Sequence, residues 1–387
     1  MKSLKTPIFV FQPEKLKENY ADFNSLCKKY FSKFKIAYSV KTNSNKEVIE
    51  ILSKLNSGFE IASLSELKSV PKHSFIVFNS PAKTQDELKL AIKNKLLINI
   101  DSKSEIDKIA RITKGKKIEA GLRISIEESK FGVEDSEIEQ IINYAKSKGI
   151  EIICIHIHQG TQLTLKEYEA SIIIFENILE RISKKINLKY IDIGGGIPDK
   201  QQLKNLNLSL NNYLEVIAKH LEKFKATIIL EPGRSLVSDA FFLLTKVIAV
   251  KENFNKTYAI LDAGINLLPK ITLASYKFSR YDCADDACRK ASPHDKDLLL
   301  DNNIKYEAEK DFAGKQNKIV KNSDLITNNK QSKEYLLAGP LLFSNDILGK
   351  FQGSLKEGDI IKVENVGAYC YNLAWEISYK KPKIICK

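Results

Sequence analysis

Between Lys35 and Arg234 the chain repeats one pattern eight times: a short apolar, β-branched run, a polar turn, then a stretch with apolar residues at helical spacing. The apolar runs hold, in turn, Ala37, Ile61, Val77, Ile98, Leu122, Ile155, Ile191 and Ile229. SFIVFN is followed by KTQDELKLAIKN, LLINID by KSEIDKIARI, and EIICIHIH by LKEYEASIIIFENILERI. Strands that alternate with longer helices pair in parallel, because each helix carries the chain back to the edge where the next strand must start. Eight such units in roughly 200–250 residues are what a closed (β/α)8 barrel requires. A doubly wound sheet would more often carry its glycine-rich turn after the first strand, whereas here Gly194-Gly195-Gly196 follows the seventh.

Past residue 243 the pattern changes. KVIAVKEN, YAILDAG, YLLAGPLL, DIIKVENVGAY and WEISY read as strands joined by turns without helices between them. The expected organisation is an α/β chain with a barrel over 13–243 and a β-rich, sandwich- or barrel-like domain over 244–387. That second domain takes in the N-terminal strand TPIFVF from residues 1–12. A polar, poorly periodic insertion at about 279–333 interrupts it.

Composition narrows the function classes. The 387 residues carry a net charge of +13 and a pI near 9.1, which raises nucleic acid as a partner. The lysines are scattered over helix faces and loops, however, and form no basic arm, so a solvated surface and no nucleic-acid partner are expected. No apolar run approaches the ~20 residues of a membrane span, and Pro7 and Pro13 break the N-terminal apolar run too early for a signal sequence. A cytoplasmic protein without membrane contact is the reading. The six cysteines are dispersed and expected to be reduced. Cys283, Cys288 and His294 offer only three soft ligands at a spacing unlike zinc motifs, so no metal is expected.

Four motifs carry chemistry. Lys41 closes the first strand of the barrel pattern and opens the loop to a helix, at the end of the strands where such folds place catalysis. Desolvation there would lower its pKa, and a neutral amine is the form that attacks a carbonyl to make a Schiff base. The glycines 194–196 after the seventh strand and Gly233 and Arg234 after the eighth can together cradle a phosphate. Glu231, in the same turn, can pair with a ring nitrogen. His156 and His158 alternate on a strand and so should face one side, followed by Gln159-Gly160-Thr161-Gln162. Gly367-Ala368-Tyr369 ends a strand of the β-rich part, where a packed tyrosine is the default. An amine, a phosphate cradle, a carboxylate for a ring nitrogen and an imidazole fit pyridoxal 5'-phosphate.

With these motifs in order, from TPIFVF through GFEIASLSEL, SKFGV, HIHQGTQ, IDIGGGIP, LEPGRSLVSDA and AGPLLFSNDIL to VGAYCYN, the chain resembles the fold-type III pyridoxal-phosphate-dependent amino-acid decarboxylases, the diaminopimelate and ornithine decarboxylase group. The resemblance implies that Lys41 is the Schiff-base lysine and that His158 stacks on the cofactor ring. It implies further that Thr161, Gly195, Gly196, Gly233, Arg234 and Tyr369 contact the phosphate, with Glu231 on the pyridine nitrogen. Glu60 stands where the family often has an aspartate. Glu60, Asp346 and Phe343 are candidate substrate residues, Asp346 reaching into the other subunit of a homodimer with shared active sites. A carboxylate on the ring nitrogen favours decarboxylation over racemisation, for which related folds place an arginine there.

The chain departs from the pattern twice. The family commonly has a cysteine and an acid after Gly-Pro-x, the cysteine implicated in protonating Cα; here Leu342 and Phe343 stand instead. Lys41, His158, water or another cysteine must then supply the proton. After DAGIN the diaminopimelate enzymes have an Arg-Pro pair that binds a substrate carboxylate; here Leu267-Leu268-Pro269-Lys270 follows. The substrate expected is an amino acid or a derivative, with a carrier-tethered aminoacyl group of specialised biosynthesis as one form. Racemisation, oxidative decarboxylation and a non-catalytic binding protein remain the alternatives.

Overall fold

The computed structural model describes residues 5–270, 274–281 and 333–387. Strand β1 (Ile8–Phe11) comes first, and Pro13 opens an 18-residue helix to Tyr30, fitting the first turn of a helix because its missing N–H has no intrahelical partner there. The next eight strands are β2 (Phe34–Ser39), β3 (Gly58–Ile61), β4 (Ile76–Asn79), β5 (Leu97–Ile100), β6 (Ile118–Arg123), β7 (Ile150–His156), β8 (Tyr190–Asp192) and β9 (Thr227–Leu230). They pair in parallel in sequence order, and β9 pairs with β2 to close the barrel. All eight runs read from the sequence are strands of this barrel.

The helices between them begin at residues suited to the task. Asn45 accepts from the N–H of Glu47 (2.8 Å) to cap helix Lys46–Lys54, and Thr84 and Thr164 form reciprocal capping boxes with Glu87 and Glu167. Their apolar faces pack on the outside of the barrel in one continuous core.

The barrel interior is two-layered, and the layers follow from the two-residue period of a strand. Ala37, Val77, Leu97, Cys154 and Ile229 form a small apolar layer. Two residues further along the chain from each comes a buried polar group: Ser39, Asn79, Asn99, His156 and, one residue past the end of β9, Glu231. Glu60, Arg123 and Asp192 come from the other three strands. Every strand thus contributes one polar residue to a ring at the C-terminal mouth.

The remaining strands are β10 (Phe241–Asn253), β11 (Lys256–Leu261), β12 (Lys277–Arg280), β13 (Lys333–Ala338), β14 (Ile347–Gly353), β15 (Ile360–Glu364) and β16 (Ile384–Cys386). Among the described residues they form one sheet in the order β12-β15-β10-β11-β13-β14, with β1 on β10 and β16 beside it. Three sequence expectations change here. Residues 279 and 280 of the supposed irregular insertion are the end of β12, paired with β15, while residues 282–332, Cys283, Cys288 and His294 among them, lie outside the described residues. WEISY is not a strand; only an isolated bridge joins Ile377 and Tyr379. Strands β14 and β16 went unread, their glycines and short length masking the alternation.

Candidate active site

The mouth of the barrel opens into a cavity enclosing ≈ 530 Å³, its open side included, lined by Lys41, Thr42, His158, Thr161, Gly194, Gly195, Gly196, Glu231, Gly233, Arg234 and Tyr369 among others. All nine residues expected to hold the cofactor therefore line one cavity, where the Arg234 guanidinium lies over Tyr369, 4.8 Å from its ring centre.

Lys41 sits in a single 3-10 turn, Val40–Thr42, just past β2, and its side chain is 41% exposed to the cavity. Its Nζ donates to both oxygens of Glu60, at 2.9 and 2.7 Å, and Ser39 Oγ donates to Glu60 Oε2 at 2.7 Å. The sequence expectation of a lowered amine pKa is overturned. Burial does pull it down, but the charges of Glu60, Glu231 and Tyr369 outweigh burial and hold the ammonium above its ordinary value. The same contact holds Glu60 below the usual carboxylate range although burial opposes it.

Glu231 is the opposite case. Its carboxyl is 4% exposed, accepts from Asn79 Nδ2 at 2.7 Å, and is pushed well up by burial and then by Asp192 and Glu60. The two histidines part company. Strand β7 ends at His156, which is buried with its Nε2 3.8 Å from Glu231 Oε2; His158 lies beyond the strand, on the cavity wall. Burial, followed by the charges of Lys41 and Arg123, brings His158 down to about 4, so its ring is neutral near pH 7. Its Nδ1 accepts from Gly195 N at 3.4 Å.

The far wall fits a phosphate. Gly194 and Gly196 have φ of +62° and +95°, which turns the backbone between β8 and the next helix in a way a side chain would resist. A Cβ on Gly233 would lie 2.2 Å from Thr42 Oγ1, so the two loops can approach only without one. Arg234 Nε and Thr42 Oγ1 are buried with no hydrogen-bond partner among the described residues, an unused donor of a cation and a hydroxyl beside a glycine loop. Such donors call for an anion. Tyr369 arrives from the sheet domain at φ +61°; it does not end a strand, since β15 stops at Glu364, but its N–H donates to Thr42 O at 2.9 Å and pins it to the barrel.

Two expected substrate residues are elsewhere. Asp346 is 2% exposed and its carboxylate is occupied by the N–H groups of Ile265 (2.7 Å) and Leu341 (2.8 Å). It closes a loop within its own subunit, and a side chain so engaged does not reach across to another. Leu342 and Phe343 are 100% and 45% exposed and absent from the cavity lining. Of the described cysteines, Cys27, Cys154 and Cys370 are buried, Cys386 is exposed, and none lines the cavity, so no described thiol of this chain stands in for Leu342.

Sequence reasoning missed Asn79, Asn99, Arg123, Asp192 and the inward role of His156. The signal was present as a lone polar residue inside each apolar strand run. Arg123 packs over Phe131 (4.3 Å) and lies 3.8 Å from Asp101.

Comparison with known proteins agrees with this geometry. The family model for the pyridoxal-dependent decarboxylase, pyridoxal binding domain, matches residues 16–238. Diaminopimelate decarboxylase of Aquifex aeolicus is 31% identical over 285 residues, 67% of each chain. That of Helicobacter pylori is 27% identical over 407 aligned positions, covering 98% of this chain and 89% of the relative. The crystal structure of the Helicobacter pylori enzyme complexed with L-lysine superposes with a TM-score of 0.78 at 25% identity, covering 100% of this chain and 92% of that one. With a closed barrel, a lysine at its mouth and a built phosphate cradle, the chain belongs to the pyridoxal-dependent decarboxylase family and is a carboxy-lyase that uses pyridoxal phosphate on an amino acid.

Proposed function

We propose that the enzyme binds pyridoxal phosphate covalently through Lys41 and releases the α-carboxylate of an amino acid or amino-acid derivative as CO2. The observation that carries this is the unpartnered Arg234 Nε and Thr42 hydroxyl lying on the same cavity as the Lys41 amine, with Glu231 on its wall. The electron sink for the breaking Cα–carboxylate bond comes from the bound cofactor. The chain's residues do the rest. Thr161, Gly195, Gly196, Gly233, Arg234 and Tyr369 hold the anionic tail, His158 presents a neutral ring to a flat partner, and Glu231 meets the ring nitrogen. Glu60 keeps Lys41 charged while the amine is free, so the amine must give up a proton before it attacks a carbonyl, and Glu60 is 2.7 Å away to take it. With no described thiol in the cavity, Lys41 is the group placed to return a proton to Cα.

On the substrate side, Leu267 and Leu268 are buried and cannot offer a guanidinium to a distal carboxylate, which supports an amino acid with a less polar distal end over diaminopimelate. A carrier-tethered aminoacyl group belongs to the same class. We place the enzyme in the cytoplasm as a homodimer. The described cysteines are free, no helix among the described residues is long and apolar enough to cross a membrane, and exposed Leu342, Phe343, Leu373, Trp375 and Ile377 supply apolar surface for a second subunit. Phe343, outside its own cavity, would then serve a substrate in the partner.

The test is to incubate the protein with pyridoxal phosphate and a panel including L-lysine, L-ornithine, diaminopimelate and larger apolar amino acids, following CO2 and products by mass spectrometry. CO2 and the matching amine are expected from at least one. Retention of the carboxyl group with inversion at Cα in all of them would make racemisation the better reading, against the carboxyl at Glu231.

A further inference from the structure

The polar ring at the barrel mouth holds more carboxyls than its cations can serve. Lys41 is paired with Glu60 at 2.7 Å, and Arg123 has Asp101 at 3.8 Å. Asp192 and Glu231, 0% and 4% exposed, have no lysine or arginine within ion-pair distance among the described residues. Yet a carboxyl oxygen of each and a ring nitrogen of His156 all lie within 4.8 Å of one another, closer than two bare carboxylates can both stay charged in a buried site. The one basic group against them, His156, has its Nε2 3.8 Å from Glu231, and burial holds its ring neutral. Their other neighbours are donors without charge. Asn79 Nδ2 donates to Glu231 at 2.7 Å, Asn99 Nδ2 to Asp192 Oδ2 at 3.0 Å, and Gly194 N to Asp192 Oδ1 at 3.0 Å.

We infer that Asp192 and Glu231 share a single proton, and that Asp192 is a positioning residue which, from behind Glu231, sets the protonation of the group facing the cofactor's ring nitrogen. The inference rests on the cofactor reading above for its consequence, not for its existence. A lone Glu231 carboxylate can only accept a hydrogen bond from a ring that arrives already protonated. A dyad carrying one proton can also deliver it: the carboxyl O–H bond breaks, its electron pair stays on oxygen, and an N–H bond forms on the ring. The barrel mouth then stores the proton in the free enzyme and needs none from water once the cavity is filled.

The charged and titratable groups around the dyad agree. Lys41 beyond β2, Glu60 on β3 and Arg123 on β6 are engaged with the partners named, and Cys154 on β7 is held as a neutral thiol by burial. His158 is neutral near pH 7. Asp192 is itself carried up to about 7 by burial, and Glu231 is held well above the usual carboxylate range by burial and then by Asp192. Two buried carboxyls with oxygens within 4.8 Å of each other cannot both ionise at ordinary cost.

Infrared spectroscopy of the full-length, cofactor-free protein, carrying 13C-labelled aspartate and glutamate in parallel samples, reads the dyad directly. A carbonyl band of a protonated, buried carboxylic acid is expected at pH 7 in the wild type and expected to vanish in Asp192→Asn and in Glu231→Gln. No such band in the wild type, or a band unchanged in both variants, overturns the inference. In the loaded protein, Asp192→Asn should retain the cofactor but shift the pH at which its visible absorbance changes by about one pH unit or more, the size of effect a like-charged neighbour produces. An unshifted profile counts against Asp192 as the positioning residue. A wild type that never acquires cofactor absorbance sinks the cofactor reading while leaving the infrared result to stand by itself.

Discussion

At the scale of single residues, charge placement in the barrel mouth makes definite statements about pH. Asp192 has a folded-state pKa near 7 against an ordinary value of 3.8. Between those values the folded protein binds the proton and the unfolded chain does not, so this residue stabilises the fold at low pH and the stabilisation is lost as pH rises through about 7. His156 and His158 act in the opposite sense, because their folded-state values are depressed below 6.5 and their contribution is lost as pH falls. The clean observable is a difference. Relative to wild type, cofactor-free Asp192→Asn should gain stability as pH rises from about 4 to 7, by up to ~1.4 kcal/mol per pH unit for one proton, measured by urea unfolding at a series of pH values. A second expectation concerns Lys41. Removing the Glu60 charge leaves burial less opposed, so Glu60→Gln should lower the pH at which Lys41 becomes reactive toward an acylating reagent, read by peptide mass spectrometry. Lys41→Ala should abolish both the cofactor's imine absorbance and CO2 release. A variant that kept the absorbance would move the attachment point elsewhere.

At the scale of elements, the barrel was legible because its strands obey two periods at once. The helices repeat every 3.6 residues, and eight apolar runs sit between them, so count and pairing direction could be read without contacts. The glycine loops were legible for the same reason, falling after runs already recognised as strands. What stayed hidden was register around the barrel. That Asn79, Asn99, Arg123, Asp192 and Glu231 share one level depends on how far each strand is offset from its neighbour, and a sequence shows each strand separately. Asp346 misled because burial of its carboxylate depends on backbone N–H groups of Ile265 and Leu341, one of them 81 residues away in the chain. Lys41 misled because its counter-charge comes from the neighbouring strand. The loop contact at Gly233 gives a test at this scale. Gly233→Ala places a methyl 2.2 Å from Thr42 Oγ1 and should cost about 1–3 kcal/mol of stability by overpacking, with weaker cofactor retention, measured by denaturant unfolding and equilibrium dialysis.

At the scale of the molecule, the apolar residues exposed around Phe343 and Trp375 bear on assembly. Light scattering on a sizing column should give twice the 43.8 kDa chain mass, and Phe343→Glu should shift the population toward the single chain as a buried contact acquires a charge. The two parts of one chain also depend on each other. The matched pyridoxal-binding segment ends at 238, while Tyr369 rests under Arg234 and is tied to the lysine loop through Thr42. A lesion near that tyrosine, far downstream of any barrel strand, would thus behave as a vitamin-responsive defect: a sound fold that leaks its coenzyme on dilution and recovers when the growth medium is rich in B6.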